Sequence, residues 1–343
     1  MSVLQDEMKR VKSKVDNLIL SQLLPKSSNI KEVELLYTMM RDYPSRQAKG
    51  MRPFLCVTSC RAAGGTEDDA ILTAACIELF QNWILIHDDI EDGSELRRGE
   101  PSLHRKYSAG LALNAGDALH AKTWEALLGN RRRLGLQKTF AVMGEFSKMI
   151  NETTEGQHME LGWVESKRWD LGEKDYYEMC TRKTSWYTVA SPCRLGAIVA
   201  GAGPSVLNGL LEFGTRLGIA FQIQDDALNL VGDESKYGKA RSDDILEGKR
   251  TLILLHLLQS AGQSERDRII SIMNKPRDSK SADDVSLVMS MIDKYDAVGF
   301  ARKKATELMK EAILTLKGVR LKGNKEAAAQ LVSFARFAVE REW

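Results

Sequence analysis

The chain has 343 residues, of which 43% are hydrophobic and 28% are charged. A chain of this length can bury a sizeable core in one large domain or two ordinary ones, and its 49 Lys and Arg residues nearly balance its 47 Asp and Glu residues. This balance leaves no general basic field for nucleic acid, so nucleic acid is excluded as a partner and any functional charge must be local.

The segments in chain order predict an all-α protein. The first, MSVLQDEMKRVKSKVDNLIL, predicts a charged amphipathic helix without the apolar centre of a secretory signal. Later segments, such as FARKKATELMKEAILTLKGV, repeat apolar residues at helical spacing, and the whole chain contains only seven prolines. The apolar stretch TLILLHLL ends after eight residues, short of the roughly 18 that a membrane span requires. We therefore expect a soluble, cytoplasmic protein without a transmembrane segment.

The chain shows no internal repeat and no low-complexity linker. Its most linker-like stretch, NKPRDSKSADD at 274–284, is followed by too few helices to form a further domain. The sequence therefore predicts a single domain over residues 1–343. The five cysteines form no metal-binding pattern, and an odd number in a long chain is typical of reduced thiols in a core.

The first informative cluster is acidic and lies in IHDDIEDGSELRR. Asp88 and Asp92 are four residues apart, so on a helix their side chains share a face, flanked by Asp89 and Glu91. Like charges at this spacing destabilise an isolated helix, so a cation is expected to offset them. A solvated helix end would look similar. However, the apolar run WILI directly before the cluster favours a buried helix whose acidic end opens on a cavity.

A second acidic cluster follows in FGTRLGIAFQIQDDALNLVGD. Asp225 and Asp226 again come after an apolar stretch, and Asn229 takes the position that Asp92 has in the first cluster. If two such helix ends face each other across a cavity, they can hold hard divalent cations. Mg²⁺ prefers oxygen ligands and commonly completes its shell with water and substrate phosphates. The two clusters therefore predict a magnesium site for a diphosphate.

Basic residues lie in the loops next to both clusters. Arginine binds phosphate oxygens by paired hydrogen bonds, and lysine binds them as a point charge. These residues are Lys49, Arg52, Arg97, Arg98, Lys183, Lys239 and Lys249. Each one alone is typical of a protein surface. Together with the acidic clusters and apolar walls, they predict an amphiphilic ligand with a diphosphate head and a hydrocarbon tail.

The ordered set of motifs resembles the trans-isoprenyl diphosphate synthases, the polyprenyl synthetase family that includes farnesyl and geranylgeranyl diphosphate synthases. In chain order the matching stretches are KGMRP, DDIED, RRG, GD, EGQ, KT, FQIQDD and GKARSDDILEGKRT, from about Lys49 to Lys249. Such an ordered set is far more specific than one DDxxD motif. The resemblance implies a bundle of roughly a dozen helices around a central cavity, usually homodimeric and dependent on Mg²⁺.

The resemblance also implies a role for each site residue. Asp88 and Asp92 would bind Mg²⁺ on the allylic diphosphate, supported by Asp89, and Asp225 would hold a further ion, to a total of three. The cations expected on the same diphosphate are Arg97, Lys183, Lys239 and Lys249. The ligands expected for isopentenyl diphosphate are Lys49, Arg52, Gln81 and Arg98. Thr184 and Gln222, with the carbonyl group of Lys183, would face a developing carbocation.

The implied reaction condenses isopentenyl diphosphate with dimethylallyl, geranyl or farnesyl diphosphate to give geranylgeranyl or farnesyl diphosphate. The ions and cations would stabilise the leaving diphosphate, and the apolar pocket would keep water from the allylic cation. At 1.5 Å per residue, Trp83 lies roughly 7 Å before Asp88 along the helix axis. We therefore expect Trp83, with Ile84 beside it, to form the floor that limits product length.

Three positions depart from the family pattern. Gln81 stands where many members have His, Gly50 replaces a frequent Arg, and Asn229 replaces the last Asp of the second motif. Asn229 leaves open a class I terpene cyclase on the same fold, although such an enzyme needs no isopentenyl diphosphate site. A non-catalytic subunit of a prenyl synthase heteromer is the other alternative, although such subunits generally lose their acidic motifs.

Overall fold

The structure, a computed structural model, describes residues 3–232 and 242–341. In chain order its α-helices are α1 (Val3–Leu18), α2 (Lys31–Ser45), α3 (Met51–Ala63), α4 (Glu67–Glu91), α5 (Leu103–Lys106), α6 (Ala109–Leu128), α7 (Arg131–Glu165), α8 (Glu173–Cys180), α9 (Ser191–Ala200), α10 (Pro204–Val231), α11 (Asp243–Glu247), α12 (Leu252–Ser260), α13 (Gln263–Met273), α14 (Ala282–Lys294), α15 (Ala297–Gly318) and α16 (Lys325–Glu340). Two π-helical segments, Ile19–Leu23 and Thr181–Ala190, and a 3₁₀ turn, Arg277–Ser279, add to them. The described strands are β1 (Leu96–Arg97) and β2 (Glu100–Pro101), which pair as an antiparallel hairpin. The predicted all-α class is confirmed.

The described residues divide into two compact units. Unit one comprises the chain up to Lys148, Thr188–Leu211 and Lys317–Phe334. Unit two comprises Met149–Tyr187, Glu212–Leu316 and the residues from Ala335 onward. The single domain over residues 1–343 stays a prediction.

Helix α4 is the central element of unit one and carries the first acidic cluster at its end. It begins with a capping box, in which the Thr66 side chain accepts from the backbone of Asp69 and Asp69 bonds back to Thr66. By length and composition α4 could cross a membrane, but 67% of its most apolar 18-residue window is buried. This burial is typical of the core helix of a soluble protein. The expectation of no transmembrane segment considered only unbroken apolar runs, whereas the apolar residues of α4 are interrupted and pass a test of length and composition alone.

Close packing in unit one depends on small residues. Helix α3 packs against α4 and α9, and α4 packs against α6. A Cβ atom at Gly196 of α9 would lie 2.0 Å from the carbonyl oxygen of Cys56, so only glycine allows this approach to α3. Cys56 and the other four cysteines are buried and free, as expected for thiols of the core.

In unit two, helix α12 packs against α8 and α14. The part of α10 that belongs to this unit approaches the π-helical segment at Gly218, where a Cβ atom would lie 2.4 Å from Ser185 Cα. This contact places the second acidic cluster of α10 beside Lys183 and Thr184 in the same unit.

Candidate active site

The first acidic motif, Asp88–Asp92, lies at the end of α4 in unit one. The helix ends at Glu91, and the backbone N–H of Asp92 donates to the carbonyl oxygen of Asp88 across the last turn. Asp88 and Asp92 are partly exposed, whereas Asp89 is buried. Because the carbonyl end of a helix already carries partial negative charge, carboxylates at this end need a compensating cation.

Arg97 on β1 supplies this cation. Its Nε donates to Asp89 Oδ1 at 2.8 Å, and its Nη2 donates to Asp88 Oδ2 at 3.2 Å. The hydroxyl of Tyr43 donates to the second oxygen of Asp89. Burial lowers the pKa of Arg97, but the charges of Asp89 and Asp88 outweigh this effect and raise the pKa above its ordinary value. Protein partners therefore enclose Asp89, whereas Asp88 and Asp92 remain partly accessible to solvent.

Arg46 holds the hairpin that carries Arg97. Its Nη1 donates to the carbonyl oxygen of Arg97 at 2.7 Å, and its Nη2 donates to that of Pro101 at 2.9 Å. Its Nε donates to Asp42 at 2.7 Å, and its guanidinium lies 4.5 Å from the centroid of the Tyr43 ring. Because only 2% of the Arg46 side chain is exposed, these contacts satisfy a buried cation and tie the hairpin to α2.

Arg98 follows on the same hairpin with a left-handed backbone, at a φ of 55°. Its Nη1 donates to the carbonyl oxygen of Tyr43 at 2.8 Å and to Asn82 Oδ1 at 3.2 Å, while Glu78 lies 4.0 Å from Nη2. Burial lowers the pKa of Arg98. Within the described part of the chain, Nη2 is a buried donor with no hydrogen-bond acceptor. A buried donor without an acceptor is costly, and a phosphate oxygen would satisfy it.

The loop before α3 and the first turn of α3 carry the other two predicted phosphate-binding cations of unit one. Lys49 is half-buried, and Arg52 is buried with its Nη2 donating to Thr188 Oγ1 at 2.9 Å. Gly50 has a φ of 64°, and a Cβ atom there would lie 2.6 Å from Lys12 Cβ. The glycine that departs from the family pattern therefore makes room for Lys12 of α1.

The predicted floor residue Trp83 lies in an aromatic stack between α4 and α6. Its ring stacks on that of His120 with centroids 4.0 Å apart and planes 8° from parallel. Trp124 Nε1 donates to His120 Nε2 at 2.8 Å, which places the proton of a neutral His120 on Nδ1. Burial lowers the pKa of His120, in agreement with this neutral form. Gln81 and Ile84, on the same stretch of α4, are half-buried.

The GD motif explains how α6 comes so close to α4. A Cβ atom at Gly116 would lie 2.4 Å from His87 Nε2. The same nitrogen lies 3.3 Å from the carbonyl oxygen of Leu113 and 3.6 Å from Asp117 Oδ1. Gly116 is therefore needed for packing, and Asp117 is near the one histidine that adjoins the acidic motif.

The second acidic motif, Asp225–Asn229, lies on α10 in unit two. The Thr184 hydroxyl donates to Gln222 Oε1 at 2.7 Å, and Gln222 Nε2 donates to Asp226 Oδ1 at 2.7 Å. The Tyr176 hydroxyl donates to the other oxygen of Asp226 at 2.7 Å. Burial raises the pKa of Asp226 to about 6, although these two hydrogen bonds lower it. Thr184 and Gln222, both expected to face the carbocation, are thus in direct contact with each other.

Asp225 and Asn229 have different partners. Asp225 is partly exposed, and its Oδ1 forms an ion pair with Nη2 of Arg341. Asn229 is buried, and its Oδ1 accepts the backbone N–H of Asp244 at 3.1 Å. The asparagine that departs from the family pattern therefore holds the start of α11 without adding a buried charge.

Two predicted lysines of unit two pair with carboxylates. Lys183 Nζ donates to the buried Glu160. Lys249 Nζ lies 2.5 Å from Glu247 Oε2. Lys239 lies outside the described residues.

The carboxylates of both motifs suit a divalent cation. No three Asp, Glu, His or Cys side chains of residues 3–232 and 242–341 form a complete ligand set. Mg²⁺ does not require one, because it commonly takes one or two carboxylates and completes its shell with water and phosphate. Asp88, Asp92 and Asp225 are partly exposed oxygen donors of the appropriate kind, whereas Asp89 and Asp226 are buried.

Sequence reasoning missed several residues around the motifs. They are Tyr43, Arg46, Glu160, Tyr176 and Arg341. Tyr43 lies 46 residues from its partner Asp89, and Arg341 lies 116 residues from Asp225. No local pattern distinguishes these residues from ordinary tyrosines, arginines and glutamates, so the sequence contained no signal that could have found them.

Comparison with known proteins identifies the family. The model of the family described as Polyprenyl synthetase matches residues 33–292. A short chain isoprenyl diphosphate synthase from Methanothermobacter thermautotrophicus is 35% identical over 294 residues, or 86% of this chain and 86% of that protein. The geranylgeranyl pyrophosphate synthetase from Pyrococcus horikoshii Ot3 matches with a TM-score of 0.85 and 33% identity, over 98% of this chain and 99% of that chain.

A second solved structure extends the comparison to ligands. The geranylgeranyl pyrophosphate synthase from Corynebacterium glutamicum, complexed with isoprenyl diphosphate and magnesium, matches with a TM-score of 0.89 and 25% identity, over 99% of this chain and 100% of that chain. The family match covers more than half of the chain, and the relatives agree with the motifs that predicted it. The resemblance is confirmed, and the chain belongs to the polyprenyl synthetase family.

Proposed function

We propose that the chain is a short-chain prenyltransferase. It condenses isopentenyl diphosphate with dimethylallyl, geranyl or farnesyl diphosphate to give geranylgeranyl or farnesyl diphosphate. Its relatives are named as short chain isoprenyl diphosphate and geranylgeranyl pyrophosphate synthases. The observation that carries the proposal in this chain is the end of α4, where Asp88 and Asp92 are accessible and Arg97 and Tyr43 enclose Asp89.

The proposed enzyme uses Mg²⁺, with three ions per active site. Support comes from the C. glutamicum structure, which contains magnesium and isoprenyl diphosphate. Such ions, when bound, stabilise the negative charge that develops on the leaving diphosphate. Asp88 and Asp92 hold ions on the allylic diphosphate, Asp225 holds a further ion, and Asp89 keeps the first motif in place.

The basic residues serve the two diphosphates. Those proposed for the allylic diphosphate are Arg97, Lys183, Lys239 and Lys249. Those proposed for isopentenyl diphosphate are Lys49, Arg52 and Arg98, with the amide of Gln81. Arg98 has the strongest support, because its Nη2 is a buried donor that lacks an acceptor among the described residues. Binding at Lys183 and Lys249 exchanges the carboxylates of Glu160 and Glu247, which now contact them, for phosphate oxygens.

Thr184 and Gln222 face the carbocation in this proposal. The hydrogen bond from Thr184 to Gln222 Oε1, and the one from Gln222 Nε2 to Asp226, give both side chains a fixed orientation. Fixed dipoles stabilise developing charge without reorganising during the reaction. The apolar pocket would keep water from the cation until the isopentenyl double bond attacks it.

Product length is proposed to depend on Trp83 and Ile84. Trp83 is backed by His120 in a parallel stack, so His120 holds the indole in place. We expect Trp83→Ala to give products longer than those of wild type, and His120→Ala to do so to a smaller degree. Radio-thin-layer analysis of the products measures this, with His256→Ala as the control, since His256 stacks in the same way on Phe300 in unit two. An unchanged product distribution in Trp83→Ala would disprove the floor.

The proposed protein is a cytoplasmic homodimer. Its free, buried cysteines agree with a reducing compartment. Unit one exposes large apolar side chains on and near α6 and the first part of α7, which a second copy would cover. They are Leu111, Leu113, Leu128, Leu136 and Phe140.

A set of incubations tests the reaction. The purified protein with Mg²⁺ and isopentenyl diphosphate receives dimethylallyl, geranyl or farnesyl diphosphate in turn, and mass spectrometry sizes the products. We expect a longer diphosphate, and no elongation when isopentenyl diphosphate is omitted. Release of a hydrocarbon from one allylic diphosphate alone would instead favour the class I terpene cyclase. Inactivity with every primer would favour the non-catalytic subunit of a heteromer.

A further inference from the structure

Three residues of α10 hold the segment that follows α16. Gln224 Nε2 donates to the carbonyl oxygen of Arg341 at 2.9 Å. The guanidinium of Arg341 lies 4.1 Å from the centroid of the Phe221 ring, and its Nη2 pairs with Asp225 Oδ1. Phe221, Gln224 and Asp225 all belong to the FQIQDD motif. This motif therefore binds a residue that the sequence analysis did not connect with it.

Because Arg341 is buried, its positive charge depends on Asp225 as a counter-charge. Only 4% of the Arg341 side chain is exposed, whereas 26% of the Asp225 side chain is. A buried guanidinium cannot lose its proton and needs a counter-charge, which Asp225 supplies. The ring of Phe221 adds a cation–π contact that keeps the guanidinium in position.

This contact affects any cation that approaches Asp225. An ion at the carboxylate would either displace the guanidinium or share the carboxylate with it. In both cases a fixed positive charge lies next to the ion and weakens its binding. A diphosphate brings negative charge, which offsets the repulsion between the two cations.

We propose that Arg341 is a built-in counter-cation of Asp225 that makes ion binding at this aspartate depend on a diphosphate. The inference rests on the proposed function, because the diphosphate is the head group of the proposed substrate. Ion and diphosphate then strengthen each other's binding, as linkage requires. The ion at Asp225 is loaded together with the substrate rather than before it, and Arg341 is a positioning residue that touches neither reacting carbon.

The test is a titration of the purified protein with Mg²⁺ by calorimetry, with and without inorganic pyrophosphate. The variants are Arg341→Gln, Asp225→Asn and the double variant, which together isolate binding that involves Asp225. Without pyrophosphate, we expect Arg341→Gln to bind Mg²⁺ at least about threefold more tightly than wild type. We expect this gain to disappear in the Asp225→Asn background and to shrink when pyrophosphate is present.

Two controls separate charge from folding. Arg336→Gln removes the same charge from an exposed position of α16, and it should leave Mg²⁺ binding unchanged. Arg341→Lys keeps the positive charge and should retain the weaker, wild-type binding even if Arg341→Gln folds poorly. Unchanged or weaker Mg²⁺ binding by folded Arg341→Gln, or tighter binding by Arg341→Lys, would overturn the proposal. The titration uses no allylic substrate, so a failure of the prenyltransferase assay would be distinguishable from a failure of this inference.

Discussion

Within each acidic motif, single residues divide into enclosed and accessible carboxylates. Asp89 and Asp226 are buried and receive hydrogen bonds from protein donors. Asp88, Asp92 and Asp225 are partly exposed. A buried carboxylate with such partners supports the structure around it, whereas an accessible one can exchange partners for an ion. Replacing a buried carboxylate should therefore mainly lower stability, whereas replacing an accessible one should mainly lower activity.

Replacing Asp89 should mainly affect stability. Asp89→Ala leaves the buried guanidinium of Arg97 without its principal partner, so we expect the free energy of unfolding to fall by about 3–5 kcal/mol. Asp92→Ala should change it by no more than about 0.5 kcal/mol, since the residue is partly exposed, yet should lower turnover by about 100-fold or more. Urea unfolding and steady-state assays measure both. Equal destabilisation by the two variants would contradict this division.

Asp226 should make stability depend on pH. Burial raises its pKa to about 6, compared with about 3.9 in an unfolded chain. The folded protein therefore holds the proton more tightly than the unfolded chain, and this group destabilises the fold by about 3 kcal/mol as the pH rises from about 4 to about 6. The asparagine of Asp226→Asn cannot titrate. The free energy of unfolding of this variant, minus that of wild type, should therefore rise by about this amount over the same pH range.

Urea unfolding at several pH values, with a chelator present, measures this gain. Asp283→Asn is the matched control, because Asp283 is exposed and in the same unit. If the difference between Asp226→Asn and wild type stayed constant across this range, the buried carboxyl group would not be the cause.

Among the helices, close approach at single glycines positions the functional residues of unit two. A Cβ atom at Gly156 of α7 would lie 2.1 Å from the backbone nitrogen of Lys183. Lys183 and Thr184 belong to a π-helical segment, a geometry that is often found at functional sites. The EGQ motif therefore has a packing reason, because its glycine lets α7 lie directly against the segment that carries both side chains.

Gly156→Ala should disturb this contact. Because the clash is with backbone, we expect a loss of about 1–3 kcal/mol in the free energy of unfolding and a lower turnover. Gly162→Ala is the matched control on the same helix, where a Cβ atom meets nothing within 4 Å, and it should be neutral or stabilising by up to about 1 kcal/mol. Thermal unfolding of both variants measures this difference. Equal melting temperatures would show that Gly156 is not needed for the approach of α7 to the segment that carries Lys183.

For the molecule as a whole, positive and negative charges nearly balance, so charge does not indicate an interface. The exposed apolar side chains do. Leu136 and Phe140 are 64% and 66% exposed on α7 in unit one. Leu314 is equally exposed, at 68%, but lies in unit two. Isolated apolar side chains are normal on protein surfaces, whereas a group of them suggests an interface.

The proposed homodimer should therefore depend on the group in unit one. We expect wild type to have the mass of a dimer by size-exclusion chromatography with light scattering, and Leu136→Glu with Phe140→Glu to shift it to monomer. Leu314→Glu should leave the dimer intact. A monomeric wild type, or a dimer that survives the double substitution, would place the interface elsewhere or remove it.

The sequence predicted correctly those features that follow from local periodicity or from the order of short motifs along the chain. The all-α class and the family are confirmed, whereas the roles expected for Thr184, Gln222 and Asp89 stay predictions. Sequence reasoning did not foresee that α4 is apolar enough to resemble a membrane span, because its apolar residues are interrupted. The arrangement of the two acidic motifs across one cavity stays a prediction.

By itself, the sequence determined the all-α class, the family and the chemical types of the residues in both motifs. These follow from helical periodicity and from the order of short motifs, which do not depend on distant contacts. Only the tertiary structure decided which carboxylates are enclosed, why Gly50 and Asn229 are tolerated, and that Arg341 pairs with Asp225. The physical reason is that burial and several decisive hydrogen-bond partners come from residues far apart in the chain, such as Tyr43 and Asp89 or Arg341 and Asp225, which no local pattern encodes.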